Sequence, residues 1–162
     1  MVRNLGELGI TMQKIISRLT ANQNLLKLLY YTDKDPLSQP DLTDEQIANK
    51  VMNQLIKVIP RLGAKEDSTS VVSLRVVAGS PDKSNDEYIN LIFAIEVFVP
   101  MTQWFIKNTN LRPFCIMGEI QNSLNDKNIN GIGKLKGGDF HINFLTEEMC
   151  SYEMNFALVA YD

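Results

Sequence analysis

Few residues in this chain could do covalent chemistry. His141 is the single histidine, so a nucleophile–base pair would have to use it, with Cys115, Cys150 or a serine as nucleophile. It occupies a polar position where Phe140, Ile142 and Phe144 alternate with His141 and Asn143. A solvated or interface histidine is the expected role there, rather than a general base. No cluster of His, Cys and carboxylates has the spacing of a metal site. Glu147 and Glu148 fall in a predicted turn, and Asp33 and Asp35 in a predicted loop; all four carboxylates are expected to be exposed.

Two glycine-containing stretches invite a ligand. Gly131-Ile132-Gly133-Lys134-Leu135-Lys136-Gly137-Gly138 resembles a phosphate loop in composition only. Such a loop needs Gly-Lys followed by Ser or Thr, so that backbone amides and the lysine converge on phosphates. Leu135 stands at that place, and the run is expected to be a flexible loop, with Lys134 and Lys136 solvated. Asp126-Lys127-Asn128-Ile129-Asn130-Gly131 matches the first half of a calcium loop. The twelfth position, which needs a bidentate glutamate, is Gly137, and the ninth is Lys134, which repels a cation. Turn chemistry is the expected use of these residues. No catalytic residue, metal or cofactor is assigned.

Helices and strands must position these residues, and hydrophobic periodicity marks them out. Leu5, Leu8, Met12, Ile15, Ile16, Leu19, Leu25, Leu26, Leu28 and Leu29 recur at helical steps, with Asn22 and Asn24 weakening or kinking the helix midway. Its end, Leu25 to Tyr31, is rich in Leu and Tyr and must be covered by the domain or a partner. Thr32 to Asp41 reads as a loop. Thr43 and Gln46 form a capping box for a second helix through Ile47, Val51 and Leu55 to Pro60; its β-branched end, Leu55 to Ile59, is open to an extended reading. From Val72 the period becomes two. Val72, Leu74, Val76 and Ala78 share one strand face, with Ser73 and Arg75 opposite. The polar stretch Gly79 to Asp86 reads as a loop, and a second strand runs through Ile89, Leu91, Phe93, Ile95, Val97 and Val99. Pro100 to Asn110 is a connection carrying Trp104 and Phe105. Pro113 suits the first turn of a helix through Phe114, Met117 and Ile120. Asn130-Gly131 and Gly137-Gly138 are turn signals. A hairpin turning at Thr146-Glu147-Glu148 leads to a last strand through Tyr152, Met154, Phe156, Leu158 and Ala160.

The expected fold is therefore α+β, in the order α-α-β-β-α-β-β: a mainly antiparallel sheet with helices packed on one face. One domain spans residues 1–162, with a helical part at 5–60 and the sheet at 69–162. The length is enough for one real core. Apolar residues at 44% and charged residues at 22% are typical of a soluble globular protein. A net charge of −3 gives no electrostatic footprint for nucleic acid. The start of the chain lacks the continuous apolar stretch of a signal peptide, because Gln13, Lys14, Ser17 and Arg18 interrupt it. No apolar run approaches the roughly 20 residues of a membrane span. The two cysteines are expected to be buried, reduced thiols in a cytoplasmic setting.

The surplus of apolar residues points to contacts with protein. Leu28, Tyr30 and Tyr31 at the end of the first helix, and Trp104 and Phe105 after a strand, are the candidate interface residues. The alternative for Trp104 and Phe105 is that they close the core under the helix beginning at Arg112.

Across Val71–Gly79, Tyr88–Pro100, Leu111–Leu124 and Phe140–Tyr161, the order of elements resembles the tail terminator and neck proteins of tailed bacteriophages. The stretch from Asn24 to Asp33, with Pro36-Leu37 and Pro40-Asp41 after it, is similar to the start of such proteins. The resemblance implies a structural virion protein, not an enzyme, without a cofactor. It implies a homo-hexameric ring on the finished tail tube, assembled in the host cytoplasm. Its partners would be tail tube and head connector proteins, and DNA would pass through its lumen without specific binding. A ring needs two different faces that close on each other, with the sheet edge or the Trp104-Phe105 connection on one side and the first helix on the other. A small bacterial ligand-binding or regulatory module is the alternative reading of the same fold.

Overall fold

Asn22 divides the leading helix. The apolar periodicity forms a 3-10 turn, Leu5–Glu7, and α1, Leu8–Thr20. Asn22 is extended and caps α2, Gln23–Tyr30, its side-chain oxygen accepting the Leu25 amide at 3.1 Å. The two helices bury Ile15, Ile16, Leu19, Leu25, Leu26, Leu28 and Leu29. The computed structural model describes residues 5–52, 54–58, 69–81, 89–144 and 150–159.

The capping box is present. Thr43 Oγ1 accepts the Gln46 amide at 3.3 Å, and Gln46 Oε1 accepts the Thr43 amide at 2.9 Å. The helix it opens, α3, is short: Asp44–Gln46 widens into a π-turn at Ile47–Val51 and stops at an extended Met52. The expected helix to Pro60 is corrected accordingly. Its β-branched end becomes β1, Ile56–Lys57, where Ile56 is buried beside Val72 of the next strand.

The other strands are β2, Val71–Pro81; β3, Ile89–Phe98; β4, Asn128–Ile129; β5, Gly133–Phe144; and β6, Cys150–Val159. They form a six-stranded sheet in the order β1-β2-β3-β6-β5-β4. It curls like half a barrel and is mixed, because β1 runs parallel to β2 while the long strands alternate. Leu74, Ile95 and Met154 lie in one row on the buried helical side. Between β3 and β4 runs α4, Arg112–Leu124, with Pro113 in its first turn. It buries Ile116, Met117, Ile120 and Leu124 and packs against α1, α2, β3 and β5. No helix among the described residues is long and apolar enough to cross a membrane.

The glycine-rich run is not a loop. Asn130 and Gly131 do turn the chain between β4 and β5, Gly131 at φ 77°. From Gly133 onward, however, the run is strand β5, and Gly137-Gly138 is a bulge inside it, where the register shifts before Asp139. Glycine is required at this bend. A Cβ on Gly137 would sit 2.5 Å from the Asn155 carbonyl oxygen of β6, and φ there is 139°. A second bulge, between Val76 and Ala78, turns Ala78 outward from the face expected of it. Strand β2 also runs on to Pro81 where a loop was expected from Gly79. The remainder of that loop and the Thr146–Glu148 turn lie outside the described residues.

Candidate interaction surface

Arg112 joins the two groups of candidate residues. It opens α4, yet is only 1% exposed. Its Nε donates to the Gln103 carbonyl at 3.0 Å, Nη1 to the carbonyls of Leu28 at 2.7 Å and Tyr31 at 2.6 Å, and Nη2 to that of Asp33 at 2.5 Å. Its backbone amide donates to the Trp104 carbonyl at 2.8 Å. Burial pulls the guanidinium pKa below its usual value, and the Asp33 charge opposes this. One buried cation thus satisfies the frayed C-terminus of α2 and the connection after β3 at once. The connection is two 3-10 turns, Met101–Gln103 and Lys107–Thr109. At its far end the Lys107 ammonium meets the Asp35 carboxylate at 2.8 Å, which holds the Asp35 carboxyl below its ordinary pKa.

This clamp divides the Trp-Phe pair. Trp104 is half-buried against the core and donates its indole N–H to the Val99 carbonyl at 2.8 Å. Phe105 points out and is 69% exposed. Tyr30 and Tyr31 are half-buried with rings edge-to-face at 5.0 Å. The Tyr31 hydroxyl donates to the Pro40 carbonyl, and the Tyr30 hydroxyl accepts from Gln46 Nε2. Leu28 is buried by the chain itself, 1% exposed, and has no surface to offer a partner.

A second aromatic group lies along β5. Phe140 shares the helical side of the sheet with Met154, and Ile142 with Tyr152. The Tyr152 ring is 5.2 Å from Phe114 of α4, 6.3 Å from Phe140 and 6.4 Å from Trp104, between centroids. Phe140 is 58% exposed, and Phe114 and Ile142 are exposed as well. Here the helical layer leaves apolar side chains exposed: the rings stand at its margin. Among the described residues, the strand beneath them also has an open outer side. β4 pairs only with Gly133 and Lys134, and the Asp126 amide and Asn125 side chain reach no further than Leu135 and Gly137. From Asp139 to Phe144 no described strand pairs with the outer side of β5.

On the opposite sheet face Ser73, Glu96, Glu153 and His141 lie in one row across β2, β3, β6 and β5. Arg75 bridges the two glutamates, reaching Glu96 Oε2 at 3.0 Å and also Glu153 Oε2. Ser151 Oγ donates to Glu96 Oε1. His141 Nε2 stands 3.8 Å from Glu153 Oε1, and the Ser73 hydroxyl is buried without a hydrogen-bond partner. Three strand spacings, about 14 Å, separate Ser73 from His141, too far for general-base activation. Both thiols are half-buried rather than buried, and burial pushes their pKa values up, away from thiolate reactivity. No metal-holding group of His, Cys, Asp and Glu occurs among the described residues. Arg75, Glu96, Glu153 and Ser151 form a polar network that crosslinks β2, β3 and β6.

Sequence reasoning flagged Trp104 and Phe105 by their position after a strand, and the structure separates them. It missed Arg112, because a charged residue beside a helix start reads as exposed. It missed Phe140 as a surface residue, because alternation marks a strand but not whether that strand lies at an edge.

A family model described as YomW matches residues 22–158, from the cap of α2 to the end of β6. That family is named after a gene product of a Bacillus phage region. Among curated proteins, none matches the chain.

Proposed function

This chain belongs to the YomW family, and on that premise we propose that it is a structural protein of a phage particle, working by assembly with further copies of itself. The observation that carries this is the uncovered apolar surface. Phe105, Phe114 and Phe140 are exposed, and such surface on a folded domain fits a protein partner. The element order, a helical start, the long hairpin of β2 and β3, then α4 and the closing strands β5 and β6, supports the finer reading, a ring at the head–tail junction that terminates the tail tube and joins it to the head connector. Phe105 on its clamped connection would be one ring-closing face. The other would be α1 and the turn before it, where Leu5 and Ile10 are exposed. The acidic balance suits a lumen that lets DNA pass without gripping it.

Negative-stain images and light scattering of the purified full-length chain test the proposal. Rings of several copies are expected, with Phe105→Asp lowering the mass. A polar cleft lined by Arg18, Asn22, Asn24, Asn122 and Ser123 favours the second reading, a small ligand-binding module. A chain that remains monomeric and gains thermal stability with a metabolite would decide for it.

A further inference from the structure

We infer that two copies of this chain pair through the outer edge of β5, strand against strand about a two-fold axis. The inference rests on the assembly reading for the identity of the partner. It does not need the ring, since a two-fold contact uses the same surface on both copies and closes by itself.

The two edges of the sheet are not alike. The β2 edge is guarded: β1 covers Val72 and Ser73, a bulge breaks it between Val76 and Ala78, and Pro81 ends it without an N–H. The β5 edge from Asp139 to Phe144 has no lysine, no proline and no covering strand among the described residues. It presents Phe140 and Ile142 instead. Unguarded apolar edges are templates for another strand. The strand that fits this one is itself, because its own chain's other edge is closed to it.

Polar pairing selects a register. Antiparallel self-pairing centred on Phe140 sets Asp139 of each copy opposite His141 of the other, a donor–acceptor cross-strand pair made twice. His141 is exposed and free to turn that way, its neighbour Glu153 being 3.8 Å off. The same register places Phe140 on the axis and carries Phe114, Ile142 and Tyr152 toward the other copy's patch. A stable interface buries roughly 800 Å² per partner, and here the backbone of the paired strands adds to what the apolar patch supplies.

Hydrogen exchange of the full-length chain, read by mass spectrometry at low and high concentration, tests the pairing. Amides of 139–144 are expected to exchange at least tenfold more slowly in the associated form. Phe140→Lys and Ile142→Lys are each expected to abolish that protection and lower the mass, with circular dichroism unchanged because both sites are solvent-facing. Association with 139–144 exchanging equally fast at both concentrations overturns the β5 pairing and leaves the assembly reading standing. A wild-type chain that is monomeric at every concentration overturns both.

Discussion

The molecule has two aromatic regions of opposite character. Around Arg112, the rings of Tyr30, Tyr31 and Trp104 each have a hydrogen bond and each lean on the core. Along β5, Phe114 and Phe140 have no polar anchor and face water. Aromatic richness alone does not say which kind a region is. A ring with a polar tip tied to a carbonyl closes a fold, whereas a bare ring at an unpaired strand edge is available to another chain. The first region should therefore answer to mutation in stability, and the second in assembly.

The largest effect is expected at the clamp. Arg112→Met leaves four carbonyls, two of them buried, without their donor, and urea denaturation should show a loss of about 3–5 kcal/mol. A loss below about 1 kcal/mol would remove the distinction between the regions. Trp104→Ala strips a half-buried ring and its bond to Val99, for about 2–3 kcal/mol by the same measurement. Gly137→Ala forces a Cβ against the Asn155 carbonyl at a positive φ, and roughly 1–2 kcal/mol is expected, with the bulge that shapes the β5 edge disturbed. The smallest change in stability belongs to the second region. Phe140→Lys should stay within about 0.5 kcal/mol in the monomer, so that any fall in particle mass is read as lost contact, not lost fold.

Much of this architecture was legible in the sequence, and the limits were physical. Helical steps placed α1, α2 and α4, the capping box placed the start of α3, and alternation placed the four long strands, because burial imposes those periods locally. The glycine-rich run misled, because Gly137 and Gly138 carry a bulge whose need arises from the neighbouring strand, Asn155 to Phe156, distant in sequence. The end of the helix opened by the capping box stayed open between helix and strand in the sequence, because the choice at Ile56 and Lys57 was settled by pairing with β2. The candidate interaction surface was half legible. Phe105 stood out by position. Phe140 became exposed only through strand order, which puts β5 near the edge, with no strand among the described residues pairing its outer side beyond Gly137. Arg112 could not be recognised as buried until α2, the connection and α4 converged on it.

The central claim is that this YomW-family chain works by assembling. Sedimentation velocity of the purified full-length protein over a wide concentration range tests it most directly. The account predicts a species whose mass is a whole-number multiple of the chain, reduced by Phe105→Asp or Phe140→Lys with the fold intact. A single species of one chain's mass at every concentration, unchanged by either substitution, would contradict it.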